Sequence, residues 1–353
     1  MTDTGRTLRT IDDLVAAQLC EPEQARLLST VADRYTVAIT PKMAALIDRN
    51  DPTDPIARQF VPDRRELVSE PGETVDPIGD ERHSPVAGIV HRYPDRALLK
   101  LTHVCPVYCR FCFRRERVGP GKSDPLGDRE LDVALDYIAR TPALWEIIVT
   151  GGDPLVLSPR RLHDVTRRLA AIDHVKVVRW HTRVPVVDPD RVTAELVAAL
   201  SASGKATYVG IHANHPRELT DRALQALARL ADAGFALVSQ TVLLRGINDR
   251  VEVLSELFRA FVAARVQPYY LHHLDPAPGT AHFRVPIPEG QALVAALRGR
   301  LSGLAQPTYV IDIPGGYGKV PISPGFLVGD GEVRDWQDRR HPIGMTGAEP
   351  TRG

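Results

Sequence analysis

The chain has 353 residues, and its 44 lysines and arginines are balanced by 44 aspartates and glutamates, so no net charge draws it to nucleic acid or to an anionic membrane. Hydrophobic residues at 43% and charged residues at 25% suit a large globular core, which excludes global disorder and collagen-like repeats. No run of about 18 apolar residues occurs, and the opening MTDTGRTLRTIDDL has neither a basic nor an apolar leader segment, which predicts a cytoplasmic protein without a membrane span.

Residues 1–94 are only intermittently periodic. IDDLVAAQL and ARLLSTVADRY predict short helices, and Pro-rich, charged sequence follows, so this part reads as an accessory helical or irregular region. From Ala97 the pattern changes to short β-branched runs alternating with longer helical stretches. Strands are predicted over 97–103, 145–150, 175–181, 206–212, 236–243, 267–274 and 307–312, with amphipathic helices in the gaps. Ser, Asp, Thr or Pro opens several of those helices, and Gly204 and Gly234 follow two of them. A strand–helix unit repeated this often predicts an α/β fold, a partial or near-complete TIM-like (β/α) barrel over residues 95–320, with an N-terminal helical extension. Residues 321–353 form a C-terminal extension whose end, DWQDRRHPIGMTGAEPTRG, reads as a mobile tail.

In such a barrel the loops after the strands converge on one mouth, where chemistry collects. Cys105, Cys109 and Cys112 follow the first strand, and Gly151-Gly152-Asp153-Pro154 follows the second. His181 and Arg183 end the third, and His212, Asn214 and His215 the fourth. Gln240 lies in the fifth, Asp275 ends the sixth, and Asp312 ends the seventh just before a glycine-rich run to Lys319. A single residue such as His181 reads as a core histidine, but seven polar strand ends facing one opening do not read as packing.

Three of the four cysteines share the spacing C-x3-C-x2-C, useless as a disulfide framework and suited to a metal. Three soft ligands suit an iron–sulfur cluster or zinc, and His103 could close a Cys3His zinc site. GGDP on its own is also a turn sequence. Lys319, in DIPGGYGK, reads either as a solvated lysine or as the Schiff-base partner of an aldehyde cofactor. The phosphate of such a cofactor needs cations, which Arg92 and Arg96 of HRYPDR offer, with Tyr93 placed to stack or hydrogen-bond.

HRYPDRALLKLTHVCPVYCRFCFRR, VTGGDPLVLSP, RVPVV, NHP, SQTVLLRGIND, HLDPAPGTAHFR and DIPGGYGKVP follow one another from His91 to Pro321. In this order they resemble the lysine 2,3-aminomutases of the radical S-adenosylmethionine superfamily. The resemblance implies a barrel of the radical S-adenosylmethionine type in which Cys105, Cys109 and Cys112 bind a [4Fe-4S] cluster and Phe111 stands between two of them. It places Gly151, Gly152 and Asp153 at the amino group of S-adenosylmethionine and Gln240 at its adenosyl part. Lys319 becomes the pyridoxal 5'-phosphate lysine, with Arg92, Tyr93 and Arg96 flanking that cofactor's phosphate or ring. Arg114 matches the family's carboxylate-binding arginine, and Asp275 and Asp312 match the pair that holds the ε-ammonium of lysine.

Two aspartates repel a side-chain carboxylate, so the implied activity is an isomerase converting L-lysine to β-lysine by radical amino migration. The resemblance also implies an electron donor such as flavodoxin or ferredoxin and a homo-oligomer. The short chain is similar to the branch associated with elongation factor P. No cysteine follows Cys112, which predicts no C-terminal zinc site, and Glu116 interrupts the basic run in RRER. An arginine or other cationic amino-acid aminomutase satisfies the same charges, because pocket depth is not legible in sequence. A zinc-stabilised barrel acting as a binding module would keep the cysteines and His103 without needing Lys319.

Overall fold

The structure is a computed structural model and describes residues 5–119, 126–329 and 331–343. Four short helices, Ile11–Ala16, Pro22–Arg34, Pro41–Leu46 and Ala57–Phe60, make up most of the regular structure of the N-terminal region. The first is fixed by a capping box in which the Asp13 backbone N–H donates to the Thr10 side chain and the Thr10 N–H to the Asp13 carboxylate. Leu8, Ile11, Leu14, Ile56 and Phe60 are buried in the same apolar cluster as the barrel strands, so the region shares the main core.

Nine strands form one sheet in sequential order: β1 Ile89–Tyr93, β2 Arg96–Thr102, β3 Glu146–Gly151, β4 Val177–Thr182, β5 Ala206–His212, β6 Ala236–Val242, β7 Val266–His272, β8 Thr308–Asp312 and β9 Lys319–Pro321. The seven from β2 to β8 are parallel, as predicted, while β1 and β9 are antiparallel edges. β1 and β9 do not pair with each other, so the curled sheet is a half-barrel. HRYPDR, read above as a segment before the first strand, is a hairpin in which Tyr93 pairs with Arg96 across Pro94 and Asp95. Pro and Asp are turn formers, and a two-residue loop suits adjacent antiparallel strands.

Helices Asp128–Ala139, Pro159–Ala170, Ala194–Ser201, Asp221–Asp232, Val251–Ala263 and Ile287–Arg298 fill the gaps between the parallel strands. Their starts follow local chemistry: Ser158, Thr193 and Thr220 each accept the backbone N–H three residues on. Period two then sorts the strands. Ile147, Val149, Val178, Trp180, Val209, Ile211 and Leu271 belong to the apolar core, whereas their neighbours Glu146, Thr150, Arg179, His181, His212 and His272 line a cavity of about 610 Å³.

A separate sheet of β10 Leu327–Val328, β11 Glu332–Arg334 and β12 Arg340–Pro342 ends the described chain. The expected mobile tail is therefore ordered as far as β12, where Arg340 pairs with Arg334, and its remainder from residue 344 lies outside the described residues. No helix among the described residues is long and apolar enough to cross a membrane.

Candidate active site

The cavity collects the predicted residues from nearly every strand end: Cys105, Cys109, Phe111, Cys112, Arg114, Gly151, Gly152, Asp153, Gln240, Asp275, Asp312 and Lys319 line it, together with Arg92, Tyr93 and Arg96. At one end lies the cysteine loop that follows β2. All three thiols are free. Burial raises them, Cys105 well above its usual range and Cys112 to about 11, so each is protonated unless a cation compensates the lost hydration. Arg183, at the end of β4, brings a guanidinium Nη1 to 2.8 Å from the Cys109 Sγ. Its Nη2 donates to Glu218 at 2.5 Å and to Gln59 at 2.6 Å. Phe111 packs edge-on against Phe283, with ring centres 6.2 Å apart.

The glycines of the run after β3 are required by proximity to this loop. Gly151 has φ +121°, and a side chain on Gly151 or Gly152 would overlap the carbonyl oxygen of Thr102 or Val104 respectively. The Asp153 carboxylate is taken up inside the protein. It accepts from the Thr182 hydroxyl at 2.8 Å and from the backbone N–H groups of Arg183 at 2.7 Å and Leu155 at 3.0 Å. It thereby ties the ends of β3 and β4 together beneath the cysteine loop.

Toward β7–β9 the cavity is ionic. The six residues between β8 and β9 turn so that Asp312 and Lys319 are register partners, and the ammonium donates directly to the Asp312 carboxylate. The Tyr93 hydroxyl accepts the Lys319 backbone N–H at 2.6 Å, and the Arg96 guanidinium lies 3.8 Å over the Tyr93 ring. Asp275 lies close enough to Asp312 to feel its charge. Burial and then that charge raise Asp275 to about 7, and its Oδ1 has no partner among the described residues. Burial alone would also raise Asp312, but the neighbouring His272 and the ammonium of Lys319 hold it below the carboxylate range.

Three functional neighbours escaped the sequence reading. Asp80, in the N-terminal region, accepts from Arg114 Nε at 2.9 Å and from Arg92 Nη2 at 3.2 Å, holding both cations at the cavity wall. Glu66 sits fully buried between Arg110 and Arg115 of the cysteine loop, with Arg110 Nε at 3.0 Å and Arg115 also donating to it. His272 bonds both Gln240, at 3.0 Å, and Lys319, at 3.3 Å. Alternation could have found His272, which adjoins the core residue Leu271 near a strand end that bears Asp275; nothing local pointed to Asp80 or Glu66. His181, read as a core histidine, is instead a cavity residue with Nε2 3.3 Å from Gln240 Nε2, because β4 turns Trp180 outward and the next side chain inward.

The donor set fits the implied groups. No three His, Cys, Asp or Glu side chains among the described residues converge on one ion position; Cys105, Cys109 and Cys112 border the same cavity, and a cluster of several irons would take one thiolate on each. Three residues that line the cavity, Asp275, Arg92 and His212, each carry a buried polar atom, Oδ1, Nε and Nε2, with no partner among the described residues, so polar capacity at its wall is left unused.

A family model described as the Radical SAM superfamily matches residues 99–258, and one described as Lysine-2,3-aminomutase matches residues 294–335. The chain is 40% identical over 321 residues to the L-lysine 2,3-aminomutase of Clostridium subterminale, covering 91% of this chain and 77% of that protein. It is 40% identical over 322 residues to the L-lysine 2,3-aminomutase of Fusobacterium nucleatum, covering 91% and 75%. The glutamate 2,3-aminomutase of Clostridioides difficile is 35% identical over 333 residues, covering 93% and 78%.

Proposed function

The chain belongs to the lysine 2,3-aminomutase family of the radical SAM superfamily and is an isomerase-type enzyme, and from this premise we propose that it converts L-lysine to β-lysine. The observation that carries the substrate reading is the placement of Asp275 and Asp312 in the same cavity as Arg114, with Asp275 Oδ1 unpartnered. A ligand with a carboxylate and a distant ammonium matches a guanidinium and an acidic pair, whereas a second carboxylate would meet two aspartates.

Cys105, Cys109 and Cys112 would hold a [4Fe-4S] cluster. Gly151, Gly152 and Asp153, with Phe111 and Gln240, would border S-adenosylmethionine. Lys319 would carry pyridoxal 5'-phosphate, with Arg92, Tyr93 and Arg96 at its phosphate or ring. When bound, these groups supply the electron, the hydrogen-abstracting radical and the conjugated system through which nitrogen migrates.

The chain's own part is placement and shielding. Arg114, held by Asp80, presents its guanidinium to the substrate carboxylate. Asp275 and Asp312 take the side-chain ammonium at a distance that selects chain length. Tyr93 fixes the backbone of Lys319. The buried Glu66, Arg110 and Arg115 hold the cysteine loop, and the apolar layer behind β2–β8 backs the cavity wall. A reduced flavodoxin or ferredoxin would provide the electron, and membership of the branch associated with elongation factor P is part of the same proposal.

The test is anaerobic reconstitution with iron, sulfide, S-adenosylmethionine, pyridoxal 5'-phosphate and dithionite, followed by incubation with lysine, arginine and glutamate side by side. β-Lysine as the principal product supports the proposal. β-Arginine in its place, or release of deoxyadenosine with no β-amino acid from lysine, overturns the lysine assignment.

A further inference from the structure

Four side chains from four strands make one hydrogen-bonded line across the cavity. His181 of β4 meets Gln240 of β6 at 3.3 Å, Gln240 meets His272 of β7 at 3.0 Å, and His272 meets Lys319 of β9 at 3.3 Å. Gly210 of β5 makes the line possible, because a Cβ there would stand 2.9 Å from the His181 ring and 3.5 Å from Gln240 Cγ. The donor pattern gives the line a direction. Gln240 Oε1 can only accept, so His272 carries its proton on Nε2 and turns the lone pair of Nδ1 toward the Lys319 ammonium. The Gln240 amide N–H, in turn, donates to the His181 Nε2 lone pair.

We propose that His272 is the proton acceptor that converts the Lys319 ammonium into the amine able to attack the aldehyde carbon of its cofactor. The inference rests on the reading of Lys319 as the pyridoxal phosphate lysine. In the step, one Nζ–H bond breaks and its proton passes to His272 Nδ1. The freed electron pair forms the bond to the aldehyde carbon, and the carbonyl oxygen leaves as water, taking the proton lent to Nδ1 and a second proton from nitrogen. No electron is gained or lost.

The surroundings favour this acceptor over the alternative. His272 is faced by Lys319, Asp312, the Tyr270 ring with its centre 5.6 Å away, Gln240, and the neutral rings of His181 and His212. Burial, and next the charge of Lys319, lower His272 to about 4, so its lone pair is available at neutral pH; the second of these causes vanishes as the proton crosses. Asp312 also touches the ammonium, but its carboxyl is held lower still, so it keeps the charge in place instead of removing the proton.

Rapid mixing of the full, cofactor-free chain with pyridoxal 5'-phosphate, followed by visible absorbance, tests the role without turnover. His272→Asn is expected to slow the appearance of the band roughly 100-fold near neutral pH, with the deficit shrinking as rising hydroxide takes over the proton removal. His272→Ala is expected to be slow and to recover with added imidazole. Both variants should bind pyridoxamine 5'-phosphate, which cannot condense with lysine, as tightly as the parent chain. Unslowed appearance of the band, or an equal loss of pyridoxamine 5'-phosphate affinity, overturns the proton-transfer role. A parent chain that develops no band overturns the reading of Lys319 itself.

Discussion

Asp312 and Lys319 face each other as register partners across the β8–β9 turn, the carboxylate accepting from the ammonium. The same carboxylate is the one proposed to take the substrate's ammonium, so the protein's own lysine competes with the substrate for it until Lys319 is used elsewhere. Lys319→Met removes that competitor. In cofactor-free protein it is expected to raise affinity for L-lysine about tenfold, the loss of one opposing charge in a partly buried pocket, by calorimetry. Asp312→Asn should act oppositely, weakening lysine binding by about 30-fold or more. Equal affinity in the parent chain and Lys319→Met would show that the ammonium does not occupy the substrate's place.

Asp275 would make the proposed lysine binding pH-dependent. Burial and the charge of Asp312 raise it to about 7, and a cation arriving beside it favours the ionised form, so a proton is released on binding. Lysine affinity should therefore rise with pH through about 7 and level off above. Stability has the opposite sign. The folded chain holds this proton more tightly than the unfolded chain, so Asp275 contributes most below the ordinary carboxylate range, and that contribution is lost as pH rises to about 7. Thermal unfolding of Asp275→Asn should show a gain over the parent that grows from about pH 4 to about pH 7 and is level above. A gain independent of pH would remove the argument.

Asp80 joins Arg92 and Arg114, which would otherwise be two neighbouring cations at one wall. Asp80→Ala leaves both guanidinium groups without their shared anchor. The expected result is a KM for lysine raised roughly 10- to 100-fold, the scale of a lost charged hydrogen bond, with a smaller change in kcat. A kcat loss with KM unchanged would place Asp80 in another role.

These residues differ in how far the sequence announces them. The parallel strands were legible because alternation of apolar and polar residues is a local signal, and the same alternation puts His181 and Trp180 on opposite faces of β4. The cysteine loop, the glycine run and Lys319 were legible as motifs at strand ends. Asp80 and Glu66 were not, since they lie in aperiodic sequence and gain their meaning from arginines brought near only by the fold. The edge strands β1 and β9 were missed because each is short and paired on one side alone, which leaves little periodicity to read.

The N-terminal region is consequently part of the cysteine site, and Glu66 is the place to test it. Its carboxylate is fully buried between Arg110 and Arg115; burial alone would raise it, yet the two arginines hold it below its usual range. Arg110 lies between Cys109 and Phe111 and also donates to the Thr36 carbonyl at 2.9 Å, so one ionic cluster fixes the loop to two points of the N-terminal region. Glu66→Gln removes the carboxylate that sits between two buried guanidinium groups, at a cost of about 3–5 kcal/mol in folding stability. Denaturant unfolding should show that loss, together with reduced iron retained per chain after anaerobic reconstitution. Gly152→Ala separates the two readouts, because its new Cβ would press on the Val104 carbonyl at the start of the loop. It should lower iron retention with a smaller stability loss, whereas full retention in both variants would show that the loop does not depend on this packing.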